Sequence, residues 1–318
     1  LNKSKKVFSL LTVSLFVLSL SVSASAKEKK KHHEQPKLEF PVISDTQLTV
    51  GNETSHRKLE HALQDLYNIN HNSDAMVING DMINDGRAAS YEKFRDILNQ
   101  YPHPDKTFFT IGNHEFFKND GNEASIGRFL DFTGLDKVYY EKNVKGYPFI
   151  FLGTESWGPV DSPTKDSAVL SDAQLNWLNQ TLKERSKTKK PIFVFLHQPL
   201  PHTFYGTDID YYKNAVIQDE ELKNILSKYP QVIFFSGHMH WDLRFPGMFL
   251  QKDFTMVSSG AVYDTWGPDG NGYETVIDPE GSQGLYVKVY DDKVVIKGRD
   301  FTNNKWLKEY QHTVDTPK

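Results

Sequence analysis

Five short apolar runs in this sequence end on residues that can hold a metal ion. Leu38–Ser44 runs into Asp45-Thr46-Gln47, Ala75–Asn79 into Gly80-Asp81, and Thr107–Ile111 into Gly112-Asn113-His114-Glu115. Pro191–Leu196 runs into His197, and Val232–Ser236 into Gly237-His238-Met239-His240. The donors are oxygen and nitrogen without sulfur, a set suited to hard or borderline divalent cations. Singly, each signal has an ordinary reading. An Asp after a strand usually caps a helix or makes a turn, and a lone His is usually structural. His-x-His says more, because residues i and i+2 of an extended segment share a face and can aim two imidazoles at one point.

The elements that must position these residues follow from the patterning. Each apolar run is too short for a helix and is bounded by turn residues, which predicts buried strands. Between them, Ser55–Asn68, Ala88–Gln100, Ser171–Glu184 and Glu220–Lys228 carry apolar residues at helical spacing. Ser171 with Gln174 three residues later reads as a capping box. Alternating strands and helices predict an α/β layered domain whose ligand site lies at the C-terminal ends of the strands. Gly284–Tyr290, Lys293–Arg299 and Lys305–His312 read as a strand meander, forming a second sheet or the far edge of a mixed one. Segments 116–147, 155–170 and 198–218, rich in Gly, Asp, Tyr and Pro, read as long loops suited to carrying specificity.

The ordered set Asp-x-Gln, Gly-Asp, Gly-Asn-His-Glu, His and Gly-His-x-His resembles the calcineurin-like metallophosphoesterase family, and the Gln-x-x-Trp-Leu of Ser171–Glu184 resembles its secreted bacterial members. The steps of 36, 32, 84 and 41 residues between positions 45, 81, 113, 197 and 238 suit that family. The resemblance implies a four-layer α/β/β/α sandwich of two mostly mixed sheets, with the trailing meander in the second sheet. It implies two divalent cations (Mn, Fe, Zn or Co) bridged by Asp81. Asp45, Gln47 and His240 would complete the first metal site, and Asn113, His197 and His238 the second. His114 would stand beside the leaving group as general acid or electrostatic stabiliser. The implied reaction is hydrolysis of a phosphomonoester or phosphodiester by attack of a metal-bridging hydroxide.

Gln47 departs from the pattern, standing where the family usually has His. A neutral amide oxygen is a poorer donor to zinc than imidazole. It would bind the metal directly, hold a metal-bound water, or leave the first site weak. In the last case the chain would be a non-catalytic phospho-ligand-binding protein on the same scaffold. Asn84 stands where many members have an Asp that orients the histidine matching His114; Asp85 follows, and either side chain is a candidate partner. Trp241, Tyr263, Trp266, His202, Tyr205, Tyr211 and Arg128 are further candidates for substrate contact.

Composition frames this reading. The 318 residues carry a net charge of −4 and no cysteine, which excludes disulfides and thiolate ligands. Lys3, Lys5 and Lys6, an uncharged run Val7–Val22 and Ala24-Ser25-Ala26 form a secretory-signal pattern over residues 1–26. The interspersed serines and small-x-small site favour cleavage over retention as an anchor, so no stable membrane insertion is expected. Cleavage removes three of the 37 basic residues, leaving 34 against 41 acidic ones, a charge of −7. Such a balance argues against nucleic acid as a partner and leaves a small-molecule or macromolecular phosphoester as the expected substrate. Residues 27–36, with His32-His33, read as a flexible tail, and 37–318 as one metallophosphoesterase domain in an extracytoplasmic setting. Nothing in the sequence bears on oligomeric state.

Overall fold

The first half of the chain alternates strands and helices, as its periodicity requires. The computed structural model describes residues 34–157 and 166–316; the expected signal segment and His32-His33 lie outside them. Strand β1 (Leu38–Ile43) is followed by α1 (Glu53–Ile69), β2 (Met76–Asn79), α2 (Ala88–Gln100) and β3 (Thr107–Thr110). Helix α1 is capped by Asn52, whose side chain accepts from the Ser55 amide at 3.2 Å. A short 3-10 turn at His114–Phe116 and α3 (Asn122–Thr133) lead to β4 (Tyr140–Val144) and β5 (Tyr147–Phe151). Then come α4 (Asp172–Arg185), β6 (Ile192–Phe195), α5 (Asp219–Leu226), β7 (Val232–Ser236), β8 (Phe249–Gln251) and β9 (Thr255–Ser258). A separate hairpin, β10 (Thr265–Pro268) and β11 (Glu274–Asp278), precedes β12 (Gln283–Val289), β13 (Lys293–Asp300) and β14 (Lys305–Asp315).

Two six-stranded mixed sheets result, in the orders β14-β13-β12-β1-β2-β3 and β4-β5-β6-β7-β9-β8. This gives the expected layered α/β architecture and corrects two expectations. The trailing meander is the far edge of a mixed sheet, one of the two readings its strands allowed, and not part of a second sheet as the resemblance implied. It pairs antiparallel to β1 through β12 and extends the first sheet, because β1 has an edge that β2 leaves free. Segment 116–147 is not a loop either: α3 and β4 lie inside it, and β5 begins at its end. Their short or polar stretches lack the long apolar period by which a strand or helix is recognised.

Period-two alternation puts opposite faces of the first sheet into different cores. Leu38, Phe40, Val42 and Val77 pack inward with the aromatic residues of the second sheet. Phe40 meets Phe149 and Phe193 edge-on at ring separations of 4.8 and 5.0 Å, geometry favourable for aromatic pairs. Met76 and Ile78 face outward onto Leu59, Leu63 and Leu66 of α1 and Phe94 and Ile97 of α2. At α4 the expected cap is half realised. Ser171 Oγ accepts from the Gln174 amide, but the Gln174 side chain bonds Gly153 N and O, and Glu155 takes the Ser171 amide at 2.6 Å. Among the described residues, no helix is long and apolar enough to cross a membrane.

Candidate metal centre

All five motif strands deliver their terminal residues to one cleft, but from both sheets. β1, β2 and β3 bring Asp45, Gln47, Asp81, Asn113 and His114; β6 and β7 bring His197, His238 and His240. Crowding sets the local sequence. Gly80 has φ +85°, and a Cβ there would lie 2.5 Å from Cγ of His197. A Cβ on Gly237 would lie 2.6 Å from Asp45 Oδ2. Asp45, Gln47, Asp81, His238 and His240 themselves sit at φ between 43° and 70°. Left-handed conformations of non-glycine residues cost about 1 kcal/mol or more each and collect where chemistry demands an orientation.

Ligand-type atoms of Asp81, His197 and His238 lie within 4.8 Å of one another, and all three residues are buried. His197 Nδ1 bonds the Asn79 carbonyl at 2.8 Å, which fixes the proton there and turns Nε2 inward. That Nε2 is 3.1 Å from Asp81 Oδ2 and 3.7 Å from Asp45 Oδ1, yet it makes no hydrogen bond. Asn113 Oδ1 is likewise buried without a partner. His240 repeats the pattern, with Nδ1 2.6 Å from Asp264 Oδ1 and Nε2 3.3 Å from Asp45 Oδ1. His114 repeats it again: Nδ1 is 3.1 Å from the Asn84 carbonyl, its ring stacks on Phe117 at 3.9 Å, and Nε2 lies 3.7 Å from Asp81 Oδ2. Buried polar atoms without partners beside carboxylates, as His197 Nε2 and Asn113 Oδ1 are, are unfavourable alone. A divalent cation fits them.

The electrostatics agree. Burial opposes charge on His197, but Asp81 and Asp45 outweigh it and hold the imidazole at about 9. Burial likewise opposes charge on His240, while Asp45 and Asp264 raise it to about 10. Asp45 and Asp81 lie below the usual carboxylate range, since the surrounding histidines overcome their burial. His238 is held neutral, by burial first and by His197 second. A site that must be filled by protons when no cation is present has the charge balance of a cation site.

The family profile described as calcineurin-like phosphoesterase matches residues 39–242, a span that contains every motif residue. The chain belongs to the calcineurin-like phosphoesterase family. It is 24% identical over 174 residues to the 3′,5′-cyclic adenosine monophosphate phosphodiesterase CpdA of Escherichia coli, covering 54% of this chain and 56% of that one. It is 24% identical over 209 residues to purple acid phosphatase 21 of Arabidopsis thaliana, covering 62% of this chain and 44% of that one. The chain thus spans about half the length of these curated relatives. A dimetal phosphatase from Danio rerio superposes with a TM-score of 0.65 at 17% identity, over 89% of this chain and all of that one. A purple acid phosphatase from yellow lupin superposes with a TM-score of 0.61 at 12% identity, over 87% and 53%. These two likenesses establish the fold.

The cleft of this family member, about 380 Å³, is lined by Gln47, Asp81, Asn113, His114, His238 and His240. Tyr211, Tyr212, Trp266 and Glu274 also line it. Of the further candidates, Tyr211 and Trp266 therefore reach the site. Trp241 is buried behind it, donating to Glu274 at 2.6 Å, and Tyr205 packs edge-on against Trp241. Tyr263 accepts a hydrogen bond from Asn52. His202 pairs with Asp208 on an exposed loop, and Arg128 is held by Asp120, so neither joins the lining. Neither candidate side chain orients His114. The Asn84 backbone carbonyl does so, and Asp85 instead bonds the Arg87 amide.

Sequence reasoning passed over Asp264 and gave Glu115 no role. Glu115 accepts from the amides of Gly112, Met82, Asp81 and Ile83 at 2.6, 2.9, 3.1 and 3.3 Å, clasping two motif loops together. Its place in Gly-Asn-His-Glu was the available signal. Asp264 had none, being 24 residues from the histidine it holds.

Proposed function

We propose that this chain is a metal-dependent phosphoesterase acting on a phosphomonoester or phosphodiester, in the extracytoplasmic setting suggested by residues 1–26. The observation that carries the reading is the buried Asp81–His197–His238 cluster at the floor of a cleft, with His114 on its flank. Asp81, Asn113, His197 and His238 would hold one cation; Asp81, Asp45, Gln47 and His240 would hold the second. When bound, such cations lower the pKa of water toward neutrality and neutralise phosphoryl oxygens. The protein's own part is orientation. Backbone and carboxylate acceptors pin Nδ1 of His197, His240 and His114, so each presents Nε2. Phe117 fixes the plane of the His114 ring. From the cleft wall a protonated His114 Nε2 donates to the departing alkoxide oxygen.

The test is hydrolysis of aryl phosphomonoesters and diesters by folded protein supplied with Mn²⁺, Fe²⁺, Co²⁺ or Zn²⁺. The panel then extends to 3′,5′-cyclic nucleotides, the substrates named for the bacterial relatives. Absence of turnover with every metal would overturn the reading. One observation favours a non-catalytic alternative: the Gln47 amide is engaged by His240 at 3.0 Å. Elemental analysis separates the two, since the enzyme requires two metal equivalents and the binder retains one or none.

A further inference from the structure

Asp166 is assigned no role by the motifs, yet its carboxylate accepts from three side chains beside the cleft. Asn113 Nδ2 and Trp157 Nε1 donate to its Oδ1 at 3.2 and 3.1 Å, and Tyr211 Oη donates to its Oδ2 at 2.6 Å. The backbone that carries it is anchored on the second sheet's side of the site. Gln198, next to His197, donates to the Asp166 carbonyl at 3.0 Å, and Ala168 exchanges backbone bonds with Ala215 and Ile217 at 2.7 and 2.9 Å.

We propose that Asp166 is a positioning residue that turns the Asn113 carbonyl oxygen toward the Asp81–His197–His238 cluster; this rests on the metal reading above. An ionised carboxylate can only accept hydrogen bonds. A flipped Asn113 would set its oxygen against Asp166 Oδ1, two acceptors at hydrogen-bond distance with no proton between them. Only the amide NH₂ can face Asp166, so Oδ1 must face away from it. The structure shows that oxygen buried and without a partner. An asparagine has two chemically different ends, and a metal ligates only the oxygen. A neighbour that discriminates between the ends therefore sets the occupancy of the ligating state. The same carboxylate holds Tyr211, whose ring stacks on His238 at 5.7 Å and 24°.

The test is Mn²⁺ titration of chelator-treated protein, with free Mn²⁺ read by electron paramagnetic resonance and without reference to turnover. Wild type is expected to take up two equivalents. D166A should weaken one of them about 10- to 100-fold, the usual cost of losing a partner behind a ligand. D166N keeps an oxygen for Asn113 and Trp157 and should remain near wild type. D166S, too short to reach Asn113, should match D166A where alanine loosens the backbone; circular dichroism reports the fold. N113D makes both ends of the side chain equivalent, so with N113D in both backgrounds the D166A penalty should vanish. A D166A protein that binds both cations as wild type does overturns the proposal. So does a penalty that persists beside N113D, which would mark a merely structural role. A wild type that binds no Mn²⁺ overturns the metal reading itself.

Discussion

The terminal amide of Gln47 lies 3.0 Å from Nε2 of His240. Which end of the amide faces the ring depends on the His240 proton: a neutral ring with its proton on Nδ1 toward Asp264 accepts from the NH₂, and a charged ring attracts the oxygen. Cation binding requires the His240 ring to give up its Nε2 proton, as His197 must, and in addition requires the Gln47 amide to turn its oxygen from the ring to the metal, a rearrangement that His197 and His238 do not share. The first site should therefore be the weaker. Replacing Gln47 by His should tighten the weaker equivalent by about tenfold or more, the scale on which changes around a metal act. Calorimetric titration of Q47H with Zn²⁺ measures this, and unchanged affinity would remove Gln47 as a determinant.

His114 is tied at Nδ1, and its Nε2 lies 3.5 Å from the Gln47 amide and 3.7 Å from Asp81. H114A should lower kcat by about 10²- to 10⁴-fold, the range for loss of a positioned acid, while retaining both metal equivalents. Loss of metal in H114A would contradict the role assigned to it.

Glu115 carries a stability prediction. In E115Q an NH₂ must face two of the four backbone amides that the carboxylate now accepts. Burial and then Asp81 push the Glu115 carboxyl up to about 8, so the comparison is made above that pH, where loss of two bonds to the buried carboxylate should cost about 3 kcal/mol. Urea unfolding of chelator-treated protein reads this directly, and a midpoint equal to wild type would mean that the clasp contributes nothing.

The histidines make the stability of metal-free protein depend on pH in a stated direction. His197 and His240 are held at about 9 and about 10, above the ordinary 6.5. Their contribution is complete below pH 6.5 and is lost as pH rises through those values. His238, held below its ordinary value, works oppositely: as pH falls below 6.5 the unfolded state gains a proton that the folded state refuses. Asp45 and Asp81, also lowered, lose their contribution only in acid. Stability should peak near neutrality and decline toward pH 10. Metal should replace the imidazole protons, so Mn²⁺ uptake at pH 7 should release them. Stability that climbs from pH 7 to 10 would refute the pairing.

The sequence by itself determined the family, the layered class and the residues that meet in the cleft. Those properties are written locally: an apolar run of strand length, a turn glycine, then a donor. Gly80 and Gly237 stand where a Cβ would strike His197 or Asp45, so even the crowding of the centre is visible as glycine next to the ligand-type residue. The tertiary structure alone decided which sheet each strand joins. β12 pairs with β1 from Leu38 with Val289 to Val42 with Leu285, and register over such a distance in the chain depends on which edge remains free. It alone placed the partners behind the site, Asp264 under His240, the Asn84 carbonyl under His114 and Asp166 beside Asn113. An oriented acceptor has no sequence period, and a backbone carbonyl has no residue type, so only packing can bring either to the atom it holds.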